Sequence, residues 1–184
     1  MSTEQTTLDI VQLLDRDHRE AEALLSRFEL TERSERGDYF WQVVHELVGH
    51  EVAEEIAVYP ALRRHAPGGE AIADARIAEQ AQAEQLLAEM EKLDSASTDF
   101  ATSFIRLRSE VLEHAKAEEA TVFPALTSSE SPDARAEQGE RYLRAKASAP
   151  THPHPHSPDT PPGNTLLGPI AALFDRARDA ARRT

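Results

Sequence analysis

Apolar residues recur three and four positions apart along most of the chain, the spacing that builds one face of an α-helix. Leu8, Val11, Leu14, Ala21, Leu25 and Phe28 form a first stripe and predict a helix over about residues 7–30. Val43, Leu47, Val58 and Ala61 predict a second over about residues 38–65, with Asp38 suited to cap it and Pro60 bending or ending it. Pro67-Gly68-Gly69 marks a turn. Ala73, Ile77, Leu87 and Met90 give a third helix over about residues 70–93. Leu107, Val111, Val122 and Ala125 give a fourth over about residues 98–126, with Pro124 mirroring Pro60. Each stripe carries polar residues near its middle: His18, then His50 and Glu54, then Gln80 and Glu84, then His114 and Glu118. Four such helices predict a polar site inside a hydrophobic bundle.

The interruptions belong to an internal repeat. His50-Glu51-Val52-Ala53-Glu54-Glu55 runs on to Tyr59-Pro60-Ala61-Leu62, and His114-Ala115-Lys116-Ala117-Glu118-Glu119 runs on to Phe123-Pro124-Ala125-Leu126. Upstream, Asp17-His18-Arg19-Glu20-Ala21-Glu22 aligns with Glu79-Gln80-Ala81-Gln82-Ala83-Glu84. The acid positions match; the histidine does not, because Gln80 stands where His18 stands. Two copies of one helical hairpin predict an all-α fold, an up-down four-helix bundle with internal two-fold symmetry over residues 1–128.

Charge and composition narrow the chemistry. The 184 residues carry a formal net charge of -13, which argues against nucleic acid as the main partner. No cysteine is present, which excludes disulfides, thiol catalysis and iron–sulfur clusters. No apolar run approaches membrane-spanning length, so no transmembrane segment is expected. The N-terminal residues lack the basic and apolar parts of a signal peptide, and a cytoplasmic location is the expectation.

On a helix, residues four apart stack on one face, so each His-x-x-x-Glu aims an imidazole and a carboxylate at one point. A lone inward histidine is ordinarily a hydrogen-bonded core residue, and a lone inward glutamate ordinarily reaches to water. Here His18, His50, Glu54, His114 and Glu118 all point inward at similar depth. Burying them together without a cation is costly. The mixture suits a redox-active or divalent transition metal, with a pair of iron ions as the expected cofactor. Gln80, Glu84 and Glu51 are further candidate ligands. Glu51 lies about 100° off the inward face, which fits a solvated surface acid equally well. Glu46 and Glu110 each precede a paired histidine by four residues. They either hydrogen-bond those imidazoles from outside the ligand set or belong to ordinary surface charge. His45 and His65 fall off the stripe and are expected at the surface.

With these motifs, Asp-His-Arg-Glu on the first helix and the doubled His-x-x-x-Glu-Glu with Pro-Ala-Leu, the chain resembles the hemerythrin-like (HHE cation-binding) family over about residues 8–126. The resemblance implies a non-haem di-iron site, oxo- or hydroxo-bridged, with His18, His50 and His114 as terminal ligands and Glu54 and Glu118 as bridges. Oxygen-carrying hemerythrins have His-x-x-x-His on the third helix, where this chain has Gln80 and Glu84. On the fourth they have His-x-x-x-x-Asp, where this chain has Glu118 at the fourth and Glu119 at the fifth position. At most three of the five carrier histidines are present. A site richer in carboxylate favours ferric iron, so reversible oxygen carriage is not expected. Reaction with a small oxidant (peroxide, nitric oxide or oxygen) is the first expectation, with a peroxidase or nitric-oxide-detoxifying enzyme as its form. An iron or oxygen/redox sensor, or an iron-handling protein signalling through its C-terminal helix, is the alternative. Ferritin-like carboxylate proteins place the acid three residues before the histidine, an order this chain does not have.

The last third reads differently. Ser131-Pro132-Asp133 opens a short helical extension, residues 129–149, which the four-helix core does not require. Residues 150–164, rich in proline and histidine, form a linker with polyproline character. Its alternating histidines suit a spacer or a weak copper, nickel or zinc site. Leu166, Leu167, Ile170, Leu173, Phe174 and Ala177 predict an amphipathic helix over 165–184 that docks on the bundle, on a second copy, on a partner or on a membrane surface.

Overall fold

A computed structural model describes residues 8–152. The amphipathic helix expected at 165–184, and all but the first residues of the linker, lie outside them. Helix α1, Ile10–Ser26, starts at Asp9, whose carboxylate accepts from the Gln12 amide while the Gln12 side chain bonds back to the Asp9 amide. Leu8, expected in its stripe, lies before this cap and is exposed. Two 3-10 turns, Phe28–Leu30 and Arg33–Glu35, carry the chain into α2, Arg36–Ala57.

Pro60 acts as expected, and α2 stops there. The proline has no N–H to offer a carbonyl four residues back, and Val58 caps α2 at φ -96°, ψ -62°, its N–H donating to the Glu54 carbonyl. A short helix α3, Tyr59–His65, resumes with the proline in its first turn. Its mirror Pro124 does not break the chain: it sits inside α5, Thr98–Ser129. After α3 the chain reverses through Gly68, whose φ of +71° favours glycine. A Cβ on Gly69 would meet the Leu62 carbonyl oxygen at 1.9 Å. Helix α4, Gly69–Met90, packs along α5.

Helix α6, Pro132–Ser148, starts at Ser131, which accepts from the Ala134 amide. It lies across α2 and α1. At the crossing, a Cβ on Gly139 would come within 2.8 Å of the Leu8 carbonyl oxygen, so only glycine permits the approach. The sequence pattern presents α6 as an appendage that the bundle does not require; instead its Tyr142 is fully buried in the core.

The described residues contain helices and no strands. Their core falls into two apolar clusters. One centres on Phe40, Leu87, Phe100 and Phe104, the other on Leu14, Val58, Leu62 and Leu126. The buried polar residues of the four inward stripes, His18, His50, Glu54, Gln80 and Glu118, interrupt this apolar core, as the patterns anticipate. No described helix is long and apolar enough to cross a membrane.

Candidate metal centre

Side-chain atoms of His18, His50, Glu54 and Glu118 all lie within 4.8 Å of one another, and all four residues are buried. Glu118 is the most shared: its Oε2 is 3.2 Å from His18 Nε2 and 3.5 Å from His114 Nε2. Glu54 Oε1 is 3.4 Å from His50 Nε2. His114 stands at the margin, half-buried and outside the tight foursome, but aimed at it through Glu118. The Phe123 ring stacks on His18, with centroids 5.5 Å apart.

The two carboxylates are not equivalent. Burial alone would raise Glu118, but His114, His18 and His50 overrule it and bring its pKa down to about 2. Glu54 is pushed well above the carboxylate range by burial and by the charge of Glu118. In the metal-free chain, therefore, Glu118 holds its charge more readily than Glu54. Burial pulls His18 down, but Glu118 and Glu119 more than reverse it, and its pKa is raised. His50 is lowered, by burial first.

Two residues tie the carboxylates together. Tyr59 donates from a buried position toward Glu118 Oε1 at 2.9 Å, with Glu54 Oε2 at 3.2 Å. Gln80 Nε2 lies 2.7 Å from Glu54 Oε2 and 2.7 Å from the Tyr59 hydroxyl, and its Oε1 is buried without a partner. Gln80 thus enters the site as a hydrogen-bond donor to Glu54. Glu84 is half-buried, outside the foursome, and its charge acts on Glu51. Glu51 is not a surface acid: it is 6% exposed, its Oε2 has no partner, and burial with the nearby Glu84 raises its pKa. His45 and His65 are exposed, as expected.

The acids supporting the histidines are not the ones expected. Glu46 bonds to Lys146 and Glu110 to Arg106, and the hydrogen bonds of His50 and His114 go elsewhere. Their place is taken by the aligned acids of the repeat, Asp17 and Glu79. Glu79 Oε2 meets His114 Nδ1 at 2.8 Å. Asp17 is 3.8 Å from His50 Nδ1, and the gap is bridged by Tyr142, whose hydroxyl is 2.7 Å from each. Glu119 faces His18 Nδ1 at 3.3 Å. Alignment of Asp17 with Glu79 was the signal for the two acids; nothing in the sequence announced Tyr142. A second acidic group, Asp17, Glu20 and Glu46, already has its cation, because Lys146 Nζ reaches both Asp17 and Glu46.

A cavity of about 200 Å³ opens beside the foursome. Its walls include Ala21, Leu47, Ala83 and Val111, and its charged lining, Glu22, Glu46, Glu51, Glu79, Glu110 and Glu113 with Asp17, includes no lysine or arginine. The donor set fits a metal ion. Glu54 Oε1 and His114 Nε2 are buried without hydrogen-bond partners, an arrangement a cation would satisfy.

A 139-residue stretch, 75% of this chain and 68% of the other, is 30% identical to an uncharacterized hemerythrin-like protein of Schizosaccharomyces pombe. A second stretch of 146 residues is 23% identical to a DNA nickase of Nostoc sp., of which this chain spans 41%. No solved structure matches the chain. The hemerythrin HHE cation-binding domain matches residues 9–126, from the cap of α1 to the Pro-Ala-Leu of α5, and the chain belongs to that family.

Proposed function

We propose that the protein is a non-haem di-iron protein that reacts with a small oxidant and does not carry oxygen reversibly. The observation that carries this reading is the buried foursome of two imidazoles and two carboxylates, with an amide at the position of the aligned histidine. His18, His50 and His114 would hold the irons terminally, with Glu54 and Glu118 between them and Glu51 as a further carboxylate facing the cavity. Bound iron would supply one-electron steps between ferrous and ferric states. The chain's own part is binding, orientation and exclusion. Tyr59 and Gln80 hold the bridging carboxylates in place through hydrogen bonds. The Phe123 ring covers His18. The cavity admits a molecule of a few heavy atoms, and its carboxylate lining disfavours anions, which suits peroxide, nitric oxide or oxygen.

The nickase relative raises a nucleic-acid reading, but a chain of net charge -13 whose site cavity is lined with carboxylates is poorly built to meet a phosphate backbone. The test is metal analysis and an optical spectrum of purified protein, followed by multiple-turnover consumption of peroxide or nitric oxide with an added one-electron reductant. Two irons per chain, catalytic consumption and no oxygen adduct removable by purging are expected. One zinc and no iron would sink the reading. A stable adduct that purging removes would overturn the exclusion of oxygen carriage.

A further inference from the structure

Tyr142 is fully buried, and its ring packs edge-on to His50 with centroids 6.1 Å apart. Its hydroxyl lies 2.7 Å from His50 Nδ1 and donates to Asp17 Oδ2 over 2.7 Å. A phenol carries one proton. Asp17 is gripped by Lys146 Nζ at 2.6 Å and Arg16 Nη2 at 3.0 Å, so it is a carboxylate and can only accept. The phenol proton therefore goes to Asp17, and the phenol oxygen must receive its hydrogen bond from His50 Nδ1–H. Nε2, 3.4 Å from Glu54 Oε1, is left with its lone pair facing the foursome. The other half needs no hydroxyl, because Glu79 reaches His114 Nδ1 directly. Asp17, at 3.8 Å from His50 Nδ1, is too far for a hydrogen bond of its own. Tyr142 also stands on α6, which begins after the family match ends at residue 126.

We propose that Tyr142 is a positioning residue for His50: a helix beyond the family domain fixes that imidazole as the Nδ1-protonated tautomer and aims Nε2 at the cation site. The proposal rests on reading the foursome as that site. Without the hydroxyl, His50 Nδ1 would be buried without a partner. The ring would then do better with its proton on Nε2, donating to Glu54, and that tautomer closes the ligating nitrogen.

The experiment uses the full chain, metal-free, with labelled histidine, and reads the two ring nitrogens of His50 by ¹⁵N NMR. Cobalt(II) affinity is titrated in parallel. Wild type is expected to show protonated Nδ1 and lone-pair Nε2. Tyr142→Phe, which removes one oxygen and keeps the ring, is expected to exchange or average the two signals and to weaken cobalt about 10- to 100-fold. A wild type protonated on Nε2 overturns the proposal whether or not the variant folds. A Tyr142→Phe chain with unchanged tautomer and unchanged cobalt affinity overturns it too, even if less stable, since Tyr142 would then only pack. A wild type with the expected tautomer that binds no cobalt would keep the hydrogen-bond chain and overturn the cation site, which separates the two failures.

Discussion

In the first copy of the repeated motif His50 is buried, its Nδ1 faces a phenol, and the pKa of Glu54 one turn on is raised by burial and by Glu118. In the second copy His114 is half-buried, its Nδ1 faces Glu79, and Glu118 one turn on is ionised. The local sequence is nearly the same, so the spacing of imidazole and carboxylate is the same. What differs is supplied from other helices. Glu118 is approached by His18 from α1 and by His114, which lower it. Glu54 is approached from α4 by the neutral Gln80 and is left with burial and the charge of Glu118, which raise it. The repeat thus holds two similar imidazole–carboxylate pairs, and their surroundings differ: burial and Glu118 raise one carboxylate, while His114, His18 and His50 lower the other.

The sharpest break of this comparison is Glu118→Gln against Glu54→Gln in metal-free protein. Removing the Glu118 charge strips His18 and His114 of their common partner and should cost on the order of 3 kcal/mol. Glu54→Gln removes a carboxyl whose charged form burial and Glu118 already disfavour, and should change stability by less than about 1 kcal/mol. Both should impair metal binding. Denaturant unfolding of the two variants beside wild type measures the difference, and equal losses would show that the halves are equivalent after all.

A pH series sharpens the same contrast. Glu54, Glu51 and His18 have folded pKa values raised above their unfolded ones. Their contribution to stability is present below the unfolded values and is lost as pH rises through the folded ones. Asp17 and Glu118 are depressed, so theirs is present above the ordinary carboxylate range and is lost as pH falls through the folded values. His50, lowered by burial, opposes the first group. The metal-free melting temperature should fall on the alkaline side of its optimum as Glu54, Glu51 and His18 lose their protons, and on the acid side as Glu118 and Asp17 gain theirs. Glu54→Gln should flatten the alkaline fall and Glu118→Gln the acid one. Thermal melts across pH check it, and profiles of the two variants that both follow wild type would contradict the assignment.

The smallest effect expected is at the prolines. Pro124 interrupts the hydrogen bonding of a continuous helix, so Pro124→Ala should stabilise by about 1 kcal/mol. Pro60 lies in the first turn of α3, where its missing N–H costs little, and Pro60→Ala should be neutral or destabilising. Opposite signs in chemical denaturation are the expected reading.

The sequence by itself determined the helices, their order and the inward residues. Those come from periodicity and a duplicated motif, and both are local: a stripe every third or fourth residue can bury itself in only one way. Hence His18, His50, Glu54 and Glu118 were legible in the sequence, and so was the break at Pro60. Tertiary structure decided what periodicity cannot encode. Glu51, off the stripe, is buried with Glu84 of α4 nearby, a neighbour that the periodicity of its own helix does not encode. Glu46 and Glu110 lost their expected roles to better-placed cations, Lys146 and Arg106, one of them a hundred residues away. Tyr142 gained its role because Asp17 and His50 are held just too far apart to touch, and a hydroxyl from a later helix fits the gap. Which ligands a chain carries is written in its helical repeat; which nitrogen is free and which carboxylate is charged depends on ångström distances between helices far apart in sequence.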